Sequence, residues 1–152
     1  MSNQKLCCFY ISTFHLFTII LPYINEKIEE GKKVELILQN DLSQDLKKYV
    51  KNVKSLNINT EEIINLEWKP KSELLERSNN VIYLIVGEEK YISSYERIIG
   101  ENVSENEIIS CYKLKNNLEI SGIVLNHDDL LTTKGPKTIT KFSQNEQKSR
   151  TI

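Results

Sequence analysis

The sequence predicts an α/β fold, a three-layer sandwich around a mostly parallel sheet of five to six strands. Residues 6–40 have the pattern of a buried strand, an amphipathic helix and a second buried strand, which is a unit that joins two parallel strands. Val81–Val86 (VIYLIV) is a continuous apolar, β-branched run, typical of a central strand covered on both faces. Strand-like and helix-like segments alternate along the rest of the chain, as expected for such a sandwich.

The first unit begins with the strand Leu6–Ile11, and Ser12 and Thr13 can then cap a helix through their hydroxyl groups. Gly31 is a natural helix end and Val34–Leu38 resumes the strand pattern. The helix carries a one-sided apolar stripe at three- and four-residue spacing: Phe17, Ile20, Leu21, Ile24 and Ile28. Ligands of parallel sheets bind at the carboxyl ends of the strands, which here places Ser12–His15 and Gln39–Asp41 at the candidate edge.

Pro22 lies inside the first helix, where it removes one backbone hydrogen bond and clashes with the preceding turn. The sequence therefore predicts either a kink at Pro22 or a looser segment over Thr13–Leu21.

The middle of the chain continues the alternation. Asp41 is the predicted cap of a helix whose apolar face consists of Leu42, Leu46, Tyr49, Val50 and Val53. Ile63–Leu66 is a short strand candidate and Ser72–Arg77 is predicted to form one or two helical turns. After the central strand, a helix with apolar residues at helical spacing is predicted to stop at Gly100.

Ile108–Leu114 predicts a fifth strand. Leu118–Leu125 fits either a strand or a helix interrupted by glycine, and Asp128–Thr132 predicts an edge strand. From residue 134 onward the chain is polar and rich in lysine, with almost no large apolar side chain. We therefore expect one domain over residues 1–133 and a flexible polar tail over residues 134–152.

Composition narrows the class of protein. A formal net charge of −1 over 152 residues gives no field that would favour nucleic acid or an anionic membrane. Three cysteines, two of them adjacent, do not form a disulfide framework and indicate a reducing compartment. The apolar stretch Phe9–Ile24 lacks the flanks of a signal peptide and is too short to span a bilayer. We expect a cytoplasmic, soluble protein that binds neither nucleic acid nor membrane.

The usual enzyme signatures are absent from the sequence. It contains no GxxxxGK[ST] phosphate loop, no GxGxxG fingerprint after the first strand and no GxSxG elbow. Histidines and cysteines do not recur at metal-ligand spacing, and Cys7 and Cys8 on one strand point to opposite faces. The sequence therefore predicts no metal and no cofactor.

Polar residues at strand ends are the remaining candidates for a site. His15 follows the first strand, where a first-turn histidine without a ligand is the favoured alternative. Glu88 and Glu89 follow the central strand and could bind a ligand hydroxyl or orient water, although a solvated turn is more common. His127 is followed by Asp128 and Asp129, whose carboxylates could raise its pKa, unless the segment is a surface turn.

Other residue types in the chain are better explained by packing. Cys111, on the fifth strand beside Tyr112, is more often a small buried residue than a reactive thiol. Trp68 and Tyr83 are similarly expected in the core rather than as a ligand platform.

Four stretches of the chain resemble the MEDS domain, the methanogen/methylotroph DcmR sensory domain, between Leu6 and Gly135. They are LCCFYIS with LPYINEKIEEGKKVELIL, then VGEEKYISSYERI, IISCYKL and LNHDDLLTTKG. Pro22 falls where this family carries its helix proline. What the resemblance implies as ligand-binding candidates are four residues: Gly87, Glu88, Tyr112 and His127.

Several positions depart from the family pattern. The family's N-terminal histidine has no counterpart beside Cys7 and Cys8, its cysteine aligns with Ser110 and its aspartate with Lys113. Asp128 stands where the family has a proline after its histidine. A pocket that required the missing histidine and aspartate would therefore differ here.

The resemblance implies a degenerate RecA/KaiC-like fold and a sensory or regulatory role, in a family whose domain is often joined to a DNA-binding or kinase-like domain. We expect a non-catalytic domain that binds a small molecule, apolar or polar, and signals through a partner protein. The expected ligand-binding residues are His15, Gly87, Glu88, Tyr112 and His127. Two alternatives stay open: an interaction module of the anti-regulator type without a ligand, and a degenerate nucleotide-binding ATPase with Glu88 or His127 as base. The sequence also leaves a homodimer open.

Overall fold

Six strands form a single sheet in the computed structural model, which describes residues 3–53, 57–71, 80–103 and 105–139. The strands are β1 (Gln4–Tyr10), β2 (Lys33–Leu38), β3 (Val81–Val86), β4 (Glu107–Lys113), β5 (Asp129–Thr132) and β6 (Gly135–Thr138). Their order across the sheet is β2-β3-β4-β1-β5-β6. The first five strands run parallel to their neighbours, and β6 pairs antiparallel with β5.

Within these described ranges, five helices cover the two faces of the sheet. They are α1 (Thr13–Glu29), α2 (Ser43–Asn52), α3 (Thr60–Ile64), α4 (Glu89–Asn102) and α5 (Ile120–Leu125). Buried side chains of α1, α2 and α3 pack on one face in one hydrophobic cluster, and those of α4 and α5 pack on the other face in a second cluster. The predicted three-layer sandwich with a mostly parallel sheet is confirmed.

Side-chain alternation along the strands divides the core between these two clusters. In β3, Ile82, Leu84 and Val86 face the α1–α3 layer, whereas Val81, Tyr83 and Ile85 face the α4–α5 layer. All six residues of β3 are buried. The continuous apolar run therefore indicates this central strand correctly, because a strand with helices on both faces has no solvated side.

Helix α1 continues without interruption through Pro22, whose side chain is exposed. The prediction of a looser Thr13–Leu21 is wrong. Eight buried side chains anchor α1 to the sheet, and Ser12 caps its first turn by accepting a hydrogen bond from the His15 N–H at 3.2 Å. The tertiary packing of this long helix outweighs the loss of one backbone bond.

Three local predictions are corrected by the structure, and one pair of alternatives is decided. Ile63–Leu66 is not a strand, because Thr60–Ile64 forms α3, capped by the Asn59 side chain. Of the two alternatives for Leu118–Leu125, the structure has the helix: α5 spans Ile120–Leu125. Gly100 does not end α4, which runs to Asn102. Asp41 accepts a hydrogen bond from the Ser43 N–H at 2.9 Å, so α2 begins two residues later than its predicted cap.

The carboxyl end of the domain extends beyond the predicted boundary at residue 133. Gly135–Thr138 forms β6, so β5 is an internal strand and not the predicted edge strand. Residues 136–138 are exposed and held by backbone pairing, which leaves no apolar pattern in the sequence. The predicted turns over Ser72–Arg77 and the tail from residue 140 onward lie outside the described residues.

In the described part of the chain, no helix combines the length and the hydrophobicity needed to cross a bilayer.

Candidate functional site

A cavity of about 380 Å³ opens at the carboxyl ends of four parallel strands, β1 to β4. Such an edge is where ligands of open α/β sheets bind, since loops from neighbouring strands converge there. The lining consists of the end of β1 and the start of α1, the loops after β2 and β3, and the end of β4: Tyr10, Thr13, Gln39, Asn40, Asp41, Leu42, Asp45, Val86, Gly87, Glu88, Glu89, Tyr112, Lys113, Lys115 and Leu118.

Three of the five predicted site residues, Gly87, Glu88 and Tyr112, line this cavity together. They come from two neighbouring strands, β3 and β4, whose carboxyl ends the parallel arrangement brings side by side. His15 and His127 are not in the lining.

Gly87 permits a close approach between the loops after β2 and β3. A Cβ atom at this position would lie 2.6 Å from Tyr91 Cδ1 and 2.7 Å from Gln39 Oε1. The same Gln39 oxygen accepts a hydrogen bond from the Glu88 N–H at 2.7 Å, and the Gln39 N–H donates to the Val86 carbonyl at 3.0 Å. These bonds fix the wall of the cavity between β2 and β3.

Glu88 occupies the N-cap position of α4, but its side chain makes no capping hydrogen bond. The residue is exposed and its carboxylate lines the cavity. A glutamate at this position is therefore available to a ligand, in contrast to Asp41, whose Oδ1 accepts from the Ser43 N–H. Bonds to Ser43 lower the pKa of Asp41 below its ordinary value, with a smaller contribution from Lys69 and Lys47, so Asp41 is ionised at neutral pH.

Two tyrosines enclose the cavity from opposite faces of the sheet. Tyr10 packs with the α1–α3 layer and Tyr112 with the α4–α5 layer. Burial raises the pKa of Tyr10 to about 12, and burial together with the negative charge of Glu96 raises that of Tyr112 further. Both phenols are therefore protonated near neutral pH and can donate a hydrogen bond.

His15 has a local structural role. Its Nδ1 accepts a hydrogen bond from the Ile11 N–H at 2.9 Å, while its own backbone N–H donates to Ser12 Oγ. This reciprocal pair resembles a capping box, in which side chains satisfy backbone donors at a helix start. The structure thus places His15 in the α1 cap rather than in the cavity.

His127 lies outside the cavity lining in a buried polar cluster, with only 2 % of its surface exposed. Its Nδ1 is 2.6 Å from the Ile123 carbonyl oxygen and its Nε2 is 2.7 Å from Glu96 Oε2. Both ring nitrogens of His127 therefore contact oxygen atoms of the protein, one from α5 and one from α4. The structure therefore has His127 in the core rather than in a surface turn, and the carboxylate that its side chain contacts is that of Glu96.

Glu96 is the residue of this cluster that the sequence did not single out as a site. Its Oε2 also accepts from Ser110 Oγ at 2.6 Å, and its Oε1 lies 3.8 Å from Lys5 Nζ. Burial alone would raise the pKa of Glu96, but the bonds from His127 and Ser110 and the nearby positive charges lower it. Its place one turn after Tyr91 and Ile92, on the buried side of α4, was the available signal.

The three cysteines are all free and buried. Burial, with the neighbouring Cys8, raises the pKa of Cys7 to about 12, and burial raises that of Cys111 well above its ordinary value. Thiols of this kind are inert at neutral pH, in keeping with the packing interpretation of Cys111. Trp68 and Tyr83 also lie in the core, and the Trp68 indole N–H donates to the Ile63 carbonyl at 2.7 Å.

Among the described residues, His, Cys, Asp and Glu side chains do not gather in any group of three or more that could hold a metal ion.

Comparison of the chain with family models, with curated proteins and with solved structures found no match.

Proposed function

We propose that the chain is a non-catalytic sensory or regulatory domain that binds a small molecule in the cavity at the carboxyl ends of β1 to β4. The supporting observation is that Gly87, Glu88 and Tyr112, which the resemblance to the MEDS domain marks as ligand-binding, line one cavity of about 380 Å³. This volume is within the range of small-molecule sites.

The hydrogen bonds that hold the two histidines argue against a histidine base in the cavity. His15 is bonded to the backbone at the start of α1, and His127 is bonded to Glu96 and to the Ile123 carbonyl. Neither of them lines the cavity. A general base must lie within hydrogen-bond reach of its substrate, so His127 does not fit that role for a ligand in the cavity. Glu88, the other candidate base, does line the cavity, and the hydrolysis test with Glu88→Gln separates binding from catalysis.

Tyr112 offers a route from the cavity to the outer helices. It lines the cavity, and its ring lies edge-on to the His127 ring with centroids 6.2 Å apart. His127 in turn bonds to α5 through Ile123 and to α4 through Glu96. A ligand that displaces the Tyr112 ring would alter the contact that holds α4 and α5 together, and a regulatory partner protein would respond to that change.

The test is thermal unfolding of the purified protein against nucleotides, small hydrocarbons, metabolites and divalent metals. A ligand at a hundred times its dissociation constant should add about 2.7 kcal/mol to the free energy of unfolding. The shift should be lost or reduced in Glu88→Gln and Tyr112→Phe. It should persist in Glu101→Gln, since Glu101 is exposed on α4 and outside the cavity lining.

A flat panel would contradict the ligand-binding proposal and favour an interaction module. A shift with a nucleotide, followed by hydrolysis that Glu88→Gln abolishes, would instead favour the ATPase alternative.

A further inference from the structure

The charged side chains that line the cavity are divided by sign across the sheet edge. Four carboxylates follow β2 and β3, namely Asp41, Asp45, Glu88 and Glu89. Two ammonium groups, Lys113 and Lys115, lie at the end of β4 and just beyond it. Because the sheet order is β2-β3-β4, one side of the cavity is acidic and the next is basic.

These opposite charges do not neutralise one another. In the described part of the chain, neither lysine forms an ion pair, and no ion pair involves any of the four carboxylates. Asp45 and Glu89 lie in the first turns of α2 and α4, where negative charge stabilises a helix. Asp41 bonds locally to Ser43, whereas the Glu88 side chain makes no capping hydrogen bond. Glu88 is therefore the carboxylate of this group that is best placed to bind a ligand.

A ligand that carries both signs of charge fits this arrangement best. A purely anionic molecule would place its charge beside four carboxylates, and a purely cationic one would place its charge beside two lysines. An apolar molecule would have to desolvate these charged groups without pairing them, which disfavours the apolar ligand considered from the sequence. Tyr10, Thr13 and Tyr112 also line the cavity, and their hydroxyls add neutral donors and acceptors to the charged groups.

We propose that the ligand of this cavity is a small zwitterion of the α-amino acid class. Its ammonium group lies toward Glu88 and the carboxylates after β2 and β3, and its carboxylate lies toward Lys113 and Lys115. This inference rests on the proposed ligand-binding function and narrows it to a chemical class.

The test uses thermal unfolding of the full chain with the free α-amino acids, followed by calorimetry on those that raise the melting temperature. Each such amino acid is compared with its N-acetyl derivative, which lacks the positive charge, and its carboxamide, which lacks the negative charge. We expect each derivative to bind about tenfold more weakly, equivalent to about 1.4 kcal/mol.

Charge-neutral variants assign each end of the ligand to its side of the cavity. Glu88→Gln should reduce the preference for the amino acid over its N-acetyl derivative but leave the preference over the carboxamide. Lys113→Gln should do the reverse, as in a double-mutant cycle between protein and ligand. Glu101→Gln and Lys48→Gln, both exposed and outside the cavity lining, should leave both preferences unchanged.

The outcomes separate this inference from the function on which it rests. If no amino acid binds but another compound does, in a manner sensitive to Tyr112→Phe, the zwitterion is refuted and ligand binding stands. If an amino acid binds as tightly after loss of either charge, or if the two variants leave its preferences unchanged, the zwitterion is again refuted. If nothing binds, both proposals fail.

Discussion

Glu96→Gln should destabilise the domain by removing the charge from the centre of its buried polar cluster. The wild-type carboxylate accepts from His127 Nε2 at 2.7 Å and from Ser110 Oγ at 2.6 Å. The glutamine amide has nearly the same shape and can still accept through its oxygen. The substitution therefore tests the charge of Glu96 rather than the volume of its side chain.

The expected loss follows from those two hydrogen bonds. A hydrogen bond to a charged group contributes roughly 1.5–3 kcal/mol, against about 0.5–1.5 kcal/mol for a neutral one, so each bond loses about 1 kcal/mol. The Lys5 ammonium at 3.8 Å is one-third exposed and adds little, because solvent screens it. We expect a loss of about 2 kcal/mol, or roughly 6–8 °C in melting temperature for a domain of this size.

Urea unfolding at several pH values measures this loss, with Glu101→Gln as the matched control on the exposed surface of α4. The folded state lowers the pKa of Glu96 below its ordinary 4.5, so the wild-type advantage is full above that value. The advantage should shrink as the pH falls through the folded-state pKa, because the protonated carboxyl resembles the amide. A loss below about 0.5 kcal/mol at pH 7, or one that does not change with pH, would refute the role assigned to this charge.

Three further predictions concern the backbone and the thiols. Gly87→Ala should lower the free energy of unfolding by about 1–3 kcal/mol and weaken ligand binding, because its Cβ would lie 2.6 Å from Tyr91 Cδ1. Gly122→Ala, whose Cβ would meet open space, is the control and should not destabilise the protein; urea unfolding compares the two variants. A thiol reagent at pH 8 should label Cys7 and the other two cysteines only as fast as the protein unfolds, since a pKa of about 12 leaves about 10⁻⁴ of the Cys7 thiol ionised; rapid labelling of the folded protein would contradict this. Pro22→Ala should raise the free energy of unfolding by roughly 1 kcal/mol or more, because it restores a backbone donor on the exposed side of α1; a lower melting temperature would show that the proline fits a bend that the helix needs.

The parts of the fold that depend on apolar side chains could be predicted from the sequence. The apolar run Val81–Val86 indicates a strand that is buried on both faces, and the apolar stripe on α1 indicates the buried face of that helix. The strand β6 could not be predicted, because backbone pairing with β5 holds it and its residues 136–138 are exposed. The short helix α3 was mistaken for a strand because five residues do not show a helical period, and its cap at Asn59 gave the better signal.

The candidate cavity could be predicted only as far as the rule of carboxyl strand ends reaches. That rule predicts Gly87 and Glu88 at the edge where the cavity opens, and the resemblance adds Tyr112, which also lines the cavity. His127 does not line the cavity: it stands just before a strand, and the sequence around it shows no sign of the carboxylate from another helix that bonds to it. Glu96 and His127 are 31 residues apart in sequence, and only the fold brings the side chain from α4 to within 2.7 Å of the histidine that follows α5.

The contact between Tyr112 and His127 makes the proposed sensor testable by reciprocity. If a ligand in the cavity changes the free energy of the His127–Glu96 pair, then loss of that pair must change the affinity for the ligand by the same factor. Glu96 does not line the cavity, so Glu96→Gln touches no ligand directly. We expect it to change ligand affinity by about fivefold or more, the lower end of typical coupling energies.

Calorimetry on the wild type, Glu96→Gln and Glu101→Gln measures this coupling with whichever ligand the unfolding panel supplies. Tyr112→Phe, which keeps the ring, should preserve the coupling even where it weakens binding, because the ring makes the 6.2 Å contact with His127. Tyr112→Leu removes that contact, so Glu96→Gln should then have no further effect on affinity. Equal affinity in the wild type and Glu96→Gln would mean that ligand binding in the cavity is not coupled to the contacts of α4 and α5. A sensory role would then require another route.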